Sequence, residues 1–216
     1  LAISTNGTLL DDRRLKLLVS RGFNVQVSFD GVRAAHDLTR RYADGRSSHA
    51  TIEANLRRLL SEGFAPRVIS VIDPKTAPLM AESFEYLSQL GVPHLYFAPN
   101  YLGDWSEAAC DGFEAALTRL ADRWAEHFRA GRDVRLDPLN GKVVTHVVPG
   151  SSAKVACPFG ADELAISPAG RIFPCDRLVR EDDQDSPVCI GSLERGIDQA
   201  RHQAVAGKTE IEHHHV

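Results

Sequence analysis

The chain has 216 residues, 43% of them hydrophobic and 25% charged, with a formal net charge of −4. That length holds one large domain or two small ones with an ample core, and the mildly acidic balance argues against nucleic acid, whose binding rests on a Lys/Arg surplus. No apolar run nears the roughly 20 residues needed to span a bilayer, and the first residues lack a signal peptide's basic region, so a cytoplasmic protein is expected.

Taken in chain order, residues Leu1–Ser4 read as a short buried strand that closes at Asn6-Gly7. With no starting Met and an opening inside a strand, the sequence is expected to begin within a longer protein. Asp11 or Asp12 then caps a helix carrying Leu15, Leu17 and Leu18, which ends at Gly22. Val25–Phe29 is a second strand, closed by Asp30-Gly31 and followed by a polar loop. Thr51 is placed to cap a helix with Ile52, Leu56, Leu59 and Leu60, stopping at Gly63. Val68–Ile72 is a third strand; Pro74 and Pro78 precede a helix to Gly91, and His94–Ala98 is a fourth strand. Strand and helix repeating at this pitch is the pattern of βαβ units and a parallel sheet. A long amphipathic helix over about 105–130 lines up Phe113, Leu117, Leu120, Trp124 and Phe128 on one stripe. Cys110 on that helix is expected in the core.

After about Asp137, Pro, Gly and Ser become frequent and helical periodicity ends. Residues 162–174 read as a hairpin turning at Pro168-Ala169-Gly170. A boundary near residue 145 therefore separates a unit of residues 1–145 from one of 146–216. With four βα repeats visible, a complete eight-unit barrel is excluded for this stretch.

Three groups of residues carry chemistry. Thr5-Asn6-Gly7 and Ser28-Phe29-Asp30-Gly31 fall at strand ends, where parallel α/β folds bind ligands. A hydroxyl and an amide there can hydrogen-bond a polar metabolite, although plain turn chemistry explains the same residues. His36-Asp37-Leu38-Thr39-Arg40-Arg41 follows; an arginine just beyond a ligand-side strand can clamp a carboxylate through its forked donors, or simply sit in a solvated basic loop. The third group is Cys157, twelve residues, Gly170, four residues, Cys175 and then Asp176. Two thiolates flanking a tight hairpin can meet around a metal. Zinc motifs space each cysteine pair by two to four residues, which neither cysteine does here, so an iron–sulfur cluster with a distant second pair fits better.

In this order the features resemble the radical S-adenosylmethionine enzymes that carry a SPASM extension, a group that includes anaerobic sulfatase maturases and maturases of ribosomally made peptides. That family's pattern of Thr-Asn-Gly, then Ser-x-Asp-Gly, then His-Asp-x-x-Arg stands here as Thr5-Asn6-Gly7, Ser28-Phe29-Asp30-Gly31 and His36-Asp37-Leu38-Thr39-Arg40. The extension's opening cysteine, glycine and second cysteine match Cys157, Gly170 and Cys175, with Ile166-Ser167-Pro168 and Phe173-Pro174-Cys175-Asp176 agreeing as well.

The resemblance implies an α/β fold: the back half of a partial barrel, then the first hairpin of an iron–sulfur extension. It implies that Ser28 and Arg40 hold the methionyl carboxylate of S-adenosylmethionine, with Asn6 supporting the same pocket. Cys157 and Cys175 would ligate an auxiliary 4Fe-4S cluster, and Asp176 would take a proton from the substrate residue. The implied enzyme abstracts hydrogen from a peptide or protein side chain and draws electrons from a donor such as flavodoxin or ferredoxin, with no nucleic acid and no membrane involved. The Cys-x3-Cys-x2-Cys motif of the radical-generating cluster is absent from this sequence, so the stretch alone is expected to be inactive. The extension's later cysteines are absent too. The region beyond Arg177 is accordingly expected to be poorly held, the acidic run Glu181–Asp185 to form a surface loop, and Cys189 not to be a ligand. The alternative is a scaffold or peptide-binding module that keeps the fold without the radical chemistry.

Overall fold

Alternation of apolar and polar residues sets up the sheet that organises the first part of the chain. The computed structural model describes residues 2–148, 164–175, 178–179 and 185–206. These fall in two units, Leu1–Val147 and Val148–Val216. In the first, strands β1 (Ala2–Thr5), β2 (Asn24–Ser28), β3 (Arg67–Ile72), β4 (His94–Pro99) and β5 (Arg135–Asp137) form one five-stranded sheet in that order. Every pairing in it is parallel. Thus the carboxyl ends of β1 to β4 lie along one edge, as the repeat predicts.

The connecting helices are α1 (Asp12–Ser20), α2 (Arg33–Thr39), α3 (His49–Ser61), α4 (Met80–Gln89), α5 (Glu107–Arg129) and α6 (Leu139–Val147). Asp11 caps α1, its Oδ1 accepting from the Arg14 amide at 2.8 Å, which satisfies one of the orphan donors of the first turn. Leu15 and Leu18 of α1, Ile52, Leu56 and Leu59 of α3, Phe84 and Leu87 of α4, and Ala116 and Leu120 of α5 share one core with Val25, Val27, Val68, Leu95, Phe97 and Leu136 of the strands. The residues alternating with these along β2 to β4, such as Gln26, Ser28, Arg67, His94 and Tyr96, are only partly buried.

Several expectations are corrected. The first strand is not buried: Ala2, Ile3 and Ser4 are exposed because β1 is the sheet's edge. The polar loop after β2 contains α2, a seven-residue helix without a side-chain cap. Helix α3 begins at His49, before Thr51, and Ser48 at its start makes no capping bond because its hydroxyl is engaged elsewhere. A fifth strand and α6 follow α5, where loss of helical periodicity had been expected. On the last turn of α5 the inward position falls on His127, bonded to Glu85 at 2.9 Å, and Phe128 is exposed. Cys110 is exposed too; it lies in the first turn of α5, before the helix meets its buried stripe at Ala116 and Leu120.

In the second unit, β6 (Ala165–Ile166) and β7 (Arg171–Phe173) pair antiparallel across the turn at Gly170, whose φ of +76° suits glycine. Strands β8 (Gly191–Ser192) and β9 (Gly196–Ile197) extend this sheet, and α7 (Gln199–Ala206) follows. Among the described residues beyond Arg177, those from 185 to 206 are held better than expected, while residues 181–184 of the acidic run lie outside the described residues. Ile190 is fully buried, Cys189 nearly so, and β7 pairs with β8. An apolar Ile190 beside Ile172 and Phe173 gives this small sheet a core of its own.

Candidate functional site

Parallel pairing of β1 with β2, in which Thr5 faces Val27, brings Asn6 and Ser28 to neighbouring strand ends. Asn6 follows β1 and is exposed. Its Oδ1 accepts from the Thr8 amide at 3.1 Å and the Thr8 hydroxyl at 2.8 Å, which leaves the side-chain NH2 as a donor. Ser28, the last residue of β2, is half-buried, and among the described residues its hydroxyl makes no hydrogen bond.

The ladder between β2 and β3 continues one step past Ser28, where the Phe29 amide donates to the Ile69 carbonyl at 3.0 Å. Next comes Asp30, 1% exposed. Its Oδ1 accepts from the Val71 amide at 3.0 Å; its Oδ2 accepts from Arg40 Nε at 2.6 Å and from the Thr39 hydroxyl at 3.2 Å. A buried carboxylate is tolerated only when paired and hydrogen-bonded, and Asp30 has both conditions met. Arg40 stands at the C-terminal cap of α2, its side chain about a quarter exposed. With Nε committed to Asp30, its two terminal nitrogens remain without a partner among the described residues.

The backbone of Arg40 is also held. Its amide donates to the His36 carbonyl at 2.9 Å, and its carbonyl accepts from the Ser48 hydroxyl at 2.9 Å. Because that hydroxyl donates to Arg40, the 2.9 Å contact between Ser48 Oγ and His36 Nε2 needs the proton on Nε2. His36 Nδ1 is then bare and faces the Asp30 amide at 3.4 Å. Burial pushes His36 down to about 4, against the opposing pull of Asp30, so the ring stays neutral. Gly31 completes the turn: its carbonyl accepts from His49 Nε2 at 2.9 Å. A Cβ at Gly31 would stand 2.3 Å from Ser83 Cβ, at a φ of +84°.

The remaining site residues read from the sequence lie in the second unit. Cys175 is half-buried. Cys157 and Asp176 lie outside the described residues. Among the described residues no group of three His, Cys, Asp or Glu side chains gathers as a metal site. Cys189 is buried, with Sγ donating to the Gly191 carbonyl at 3.4 Å. The sequence reading assigned no role of their own to Asp30 and Ser48. Asp30-Gly31 read as a turn, and the usable signal was an acid at a strand end with an arginine ten residues on.

A helix-backed parallel sheet with polar donors at its strand ends defines an α/β fold of the partial-barrel kind. The sequence is similar to anaerobic sulfatase-maturating enzymes. The cysteine-type enzyme of Clostridium novyi is 24% identical over 190 residues, 84% of this chain and 50% of that protein. The serine-type enzyme of Klebsiella aerogenes is 22% identical over 204 residues, 91% of this chain and 50% of that one. The chain thus spans about half the length of the curated relatives it matches. The solved structure of native anSMEcpe with bound AdoMet shares the fold, with a TM-score of 0.76 at 20% identity over 93% of this chain and 55% of that one. No protein-family model matches.

Proposed function

We propose that the chain is the cofactor-holding part of a radical S-adenosylmethionine maturase that modifies a peptide or protein side chain. The observation that carries this reading is the donor set at the strand ends: the Asn6 amide, the Ser28 hydroxyl and the terminal nitrogens of Arg40. Amide, hydroxyl and guanidinium donors of this kind suit a carboxylate. The methionyl carboxylate of S-adenosylmethionine is that ligand, with Ser28 and Arg40 binding it and Asn6 supporting them. When bound, S-adenosylmethionine supplies a 5′-deoxyadenosyl radical able to abstract hydrogen. The similarity to proteins that mature sulfatases supports this reading, as does a second structure of anSMEcpe holding AdoMet together with a Kp18Cys peptide. In this proposal Cys157 and Cys175 ligate an auxiliary 4Fe-4S cluster, Asp176 is the base that takes the substrate's proton, and a flavodoxin or ferredoxin supplies electrons.

The test is anaerobic turnover of the full-length protein, reconstituted with iron and sulfide, given reductant, S-adenosylmethionine and peptides bearing cysteine or serine. Release of 5′-deoxyadenosine is expected, and its complete absence would remove the radical reading. Cys157→Ala and Cys175→Ala should each lower the bound iron while Cys110→Ala, at an exposed position, leaves it unchanged. Full iron in both of the first two variants would return those cysteines to structural roles.

A further inference from the structure

We infer that Asp30 is a positioning residue, which aims Arg40 at the cofactor's carboxylate and gives the site its selectivity for a ligand carrying that group. The inference rests on the reading of Arg40 as a carboxylate clamp.

An exposed arginine samples many rotamers, and ordering it at the moment of binding costs affinity. Arg40 is fixed beforehand at both ends. Its carbonyl is held by Ser48, whose hydroxyl is in turn held by neutral His36. Its guanidinium is held through Nε by Asp30 Oδ2. The other oxygen, Asp30 Oδ1, takes the Val71 amide of β3, so the sheet itself fixes where the carboxylate stands. Thr39 adds its hydroxyl to Oδ2. The chain of contacts therefore runs from a β3 backbone amide through Asp30 to the guanidinium.

Choice of nitrogen matters as much as rigidity. A guanidinium is planar and its donors form a fixed fork. Engaging Nε with Asp30 leaves the edge formed by the two terminal nitrogens, which can meet both oxygens of one carboxylate. Asp30 lies two residues beyond Ser28 on the same chain segment. One short stretch thereby supplies a ligand hydroxyl and the anchor of the ligand guanidinium. An ion pair that served stability alone would not need to leave this edge free.

The test compares two ligands in the full-length, reconstituted protein under anaerobic conditions: S-adenosylmethionine, and 5′-methylthioadenosine, which keeps the nucleoside and lacks the carboxylate. Calorimetry gives the ratio of their affinities. Arg40→Ala should lower that ratio by at least about tenfold, the loss of roughly 1.4 kcal/mol or more on one ligand only. Asp30→Asn should lower it nearly as much, and the double variant should fall no further than Arg40→Ala alone. Arg40→Lys is the second route if Asp30→Asn does not fold: the charge remains but there is no Nε, so the ratio should fall towards that of Arg40→Ala. A general loss of folded protein would weaken both ligands together and leave the ratio intact. If Arg40→Ala lowers the ratio while Asp30→Asn or Arg40→Lys preserves it, Asp30 does not aim the clamp. If Arg40→Ala itself leaves the ratio unchanged, the carboxylate reading of Arg40 fails first and the role of Asp30 fails with it.

Discussion

The two faces of the parallel sheet are built by different physics. On the helix-covered face Val25, Val27, Val68, Ile72, Leu95, Phe97 and Leu136 are each at most 3% exposed. The opposite face is mixed: Ile69, Val71 and Ala98 lie on it, none of them buried, beside polar residues. Register sets Arg67, His94 and Arg135 side by side on β3, β4 and β5. Asp137 Oδ2 sits 2.9 Å from His94 Nε2 and 3.2 Å from Arg135 Nε, and the Arg67 guanidinium lies 4.7 Å from the centre of the Tyr96 ring. Apolar volume fixes the first face, and polar pairing joins β3, β4 and β5 on the second. Substitutions should therefore separate: changes on the covered face cost stability, and changes on the open face and its strand ends cost recognition.

The largest effect should come from Leu95→Ala. Leu95 is fully buried at the centre of the covered face, so the lost transfer energy and the cavity together should cost about 2–5 kcal/mol. Urea unfolding of the full-length protein would show this as a lower midpoint with an unchanged slope. A cost below about 1 kcal/mol would mean that the covered face does not carry the fold.

His36 breaks the simple division, being fully buried yet part of the polar network around Arg40. Burial is the main cause that lowers it from 6.5 to about 4; His49 and Arg40 push the same way, and Asp30 and Asp37 oppose them. Between these values the unfolded chain binds a proton that the folded chain refuses. Stability is thus whole above about pH 6.5 and falls as the pH drops towards about 4, by on the order of 3 kcal/mol. Unfolding curves for the parent and for His36→Gln, at about pH 7.5 and about pH 4.5, check this. The variant should lose clearly less stability on acidification, and an identical loss would remove His36 as the cause.

Much of this was legible in the sequence. The four strands at Ala2–Thr5, Asn24–Ser28, Arg67–Ile72 and His94–Pro99 were read to within a residue or two, because each is a run of strand formers closed by turn residues. The three-residue β5 is too short to show a period, and the seven-residue α2 has no side-chain cap to announce it. On α5 the stripe was right through Trp124 and failed at Phe128, since a polar residue holds the inward position when it finds a partner, as His127 does in Glu85. Of the candidate site, Asn6, Ser28 and Arg40 were visible as motif residues. Asp30 was visible in the same motif, but its role was hidden because a turn acid and a buried anchor look alike in sequence; only the fold shows the Val71 amide and Arg40 converging on it.

Ser28→Ala sharpens the comparison at a strand end. The hydroxyl is half-buried and makes no hydrogen bond among the described residues, so its loss should change stability by no more than about 0.5 kcal/mol. S-adenosylmethionine binding should weaken by about 1 kcal/mol, the worth of one hydroxyl contact. Unaltered binding would take Ser28 out of the site.

On the open face itself, only a small loss of stability should come from Tyr96→Leu. Tyr96 lies on the same strand as Leu95, one residue on and facing the opposite way, so the pair isolates the face from the element. Leucine keeps an apolar side chain there and opens no cavity in the helix-covered core. What it removes is the ring beneath Arg67, whose side chain is about a third exposed and whose guanidinium also lies 3.8 Å from Asp137. A cation–π contact at such a partly wetted site is worth about 0.5–1 kcal/mol. The expected loss in urea unfolding is therefore a small fraction of that for Leu95→Ala. Similar costs for the two neighbours would mean that both faces are packed against other parts of the protein, and the division between them would fall.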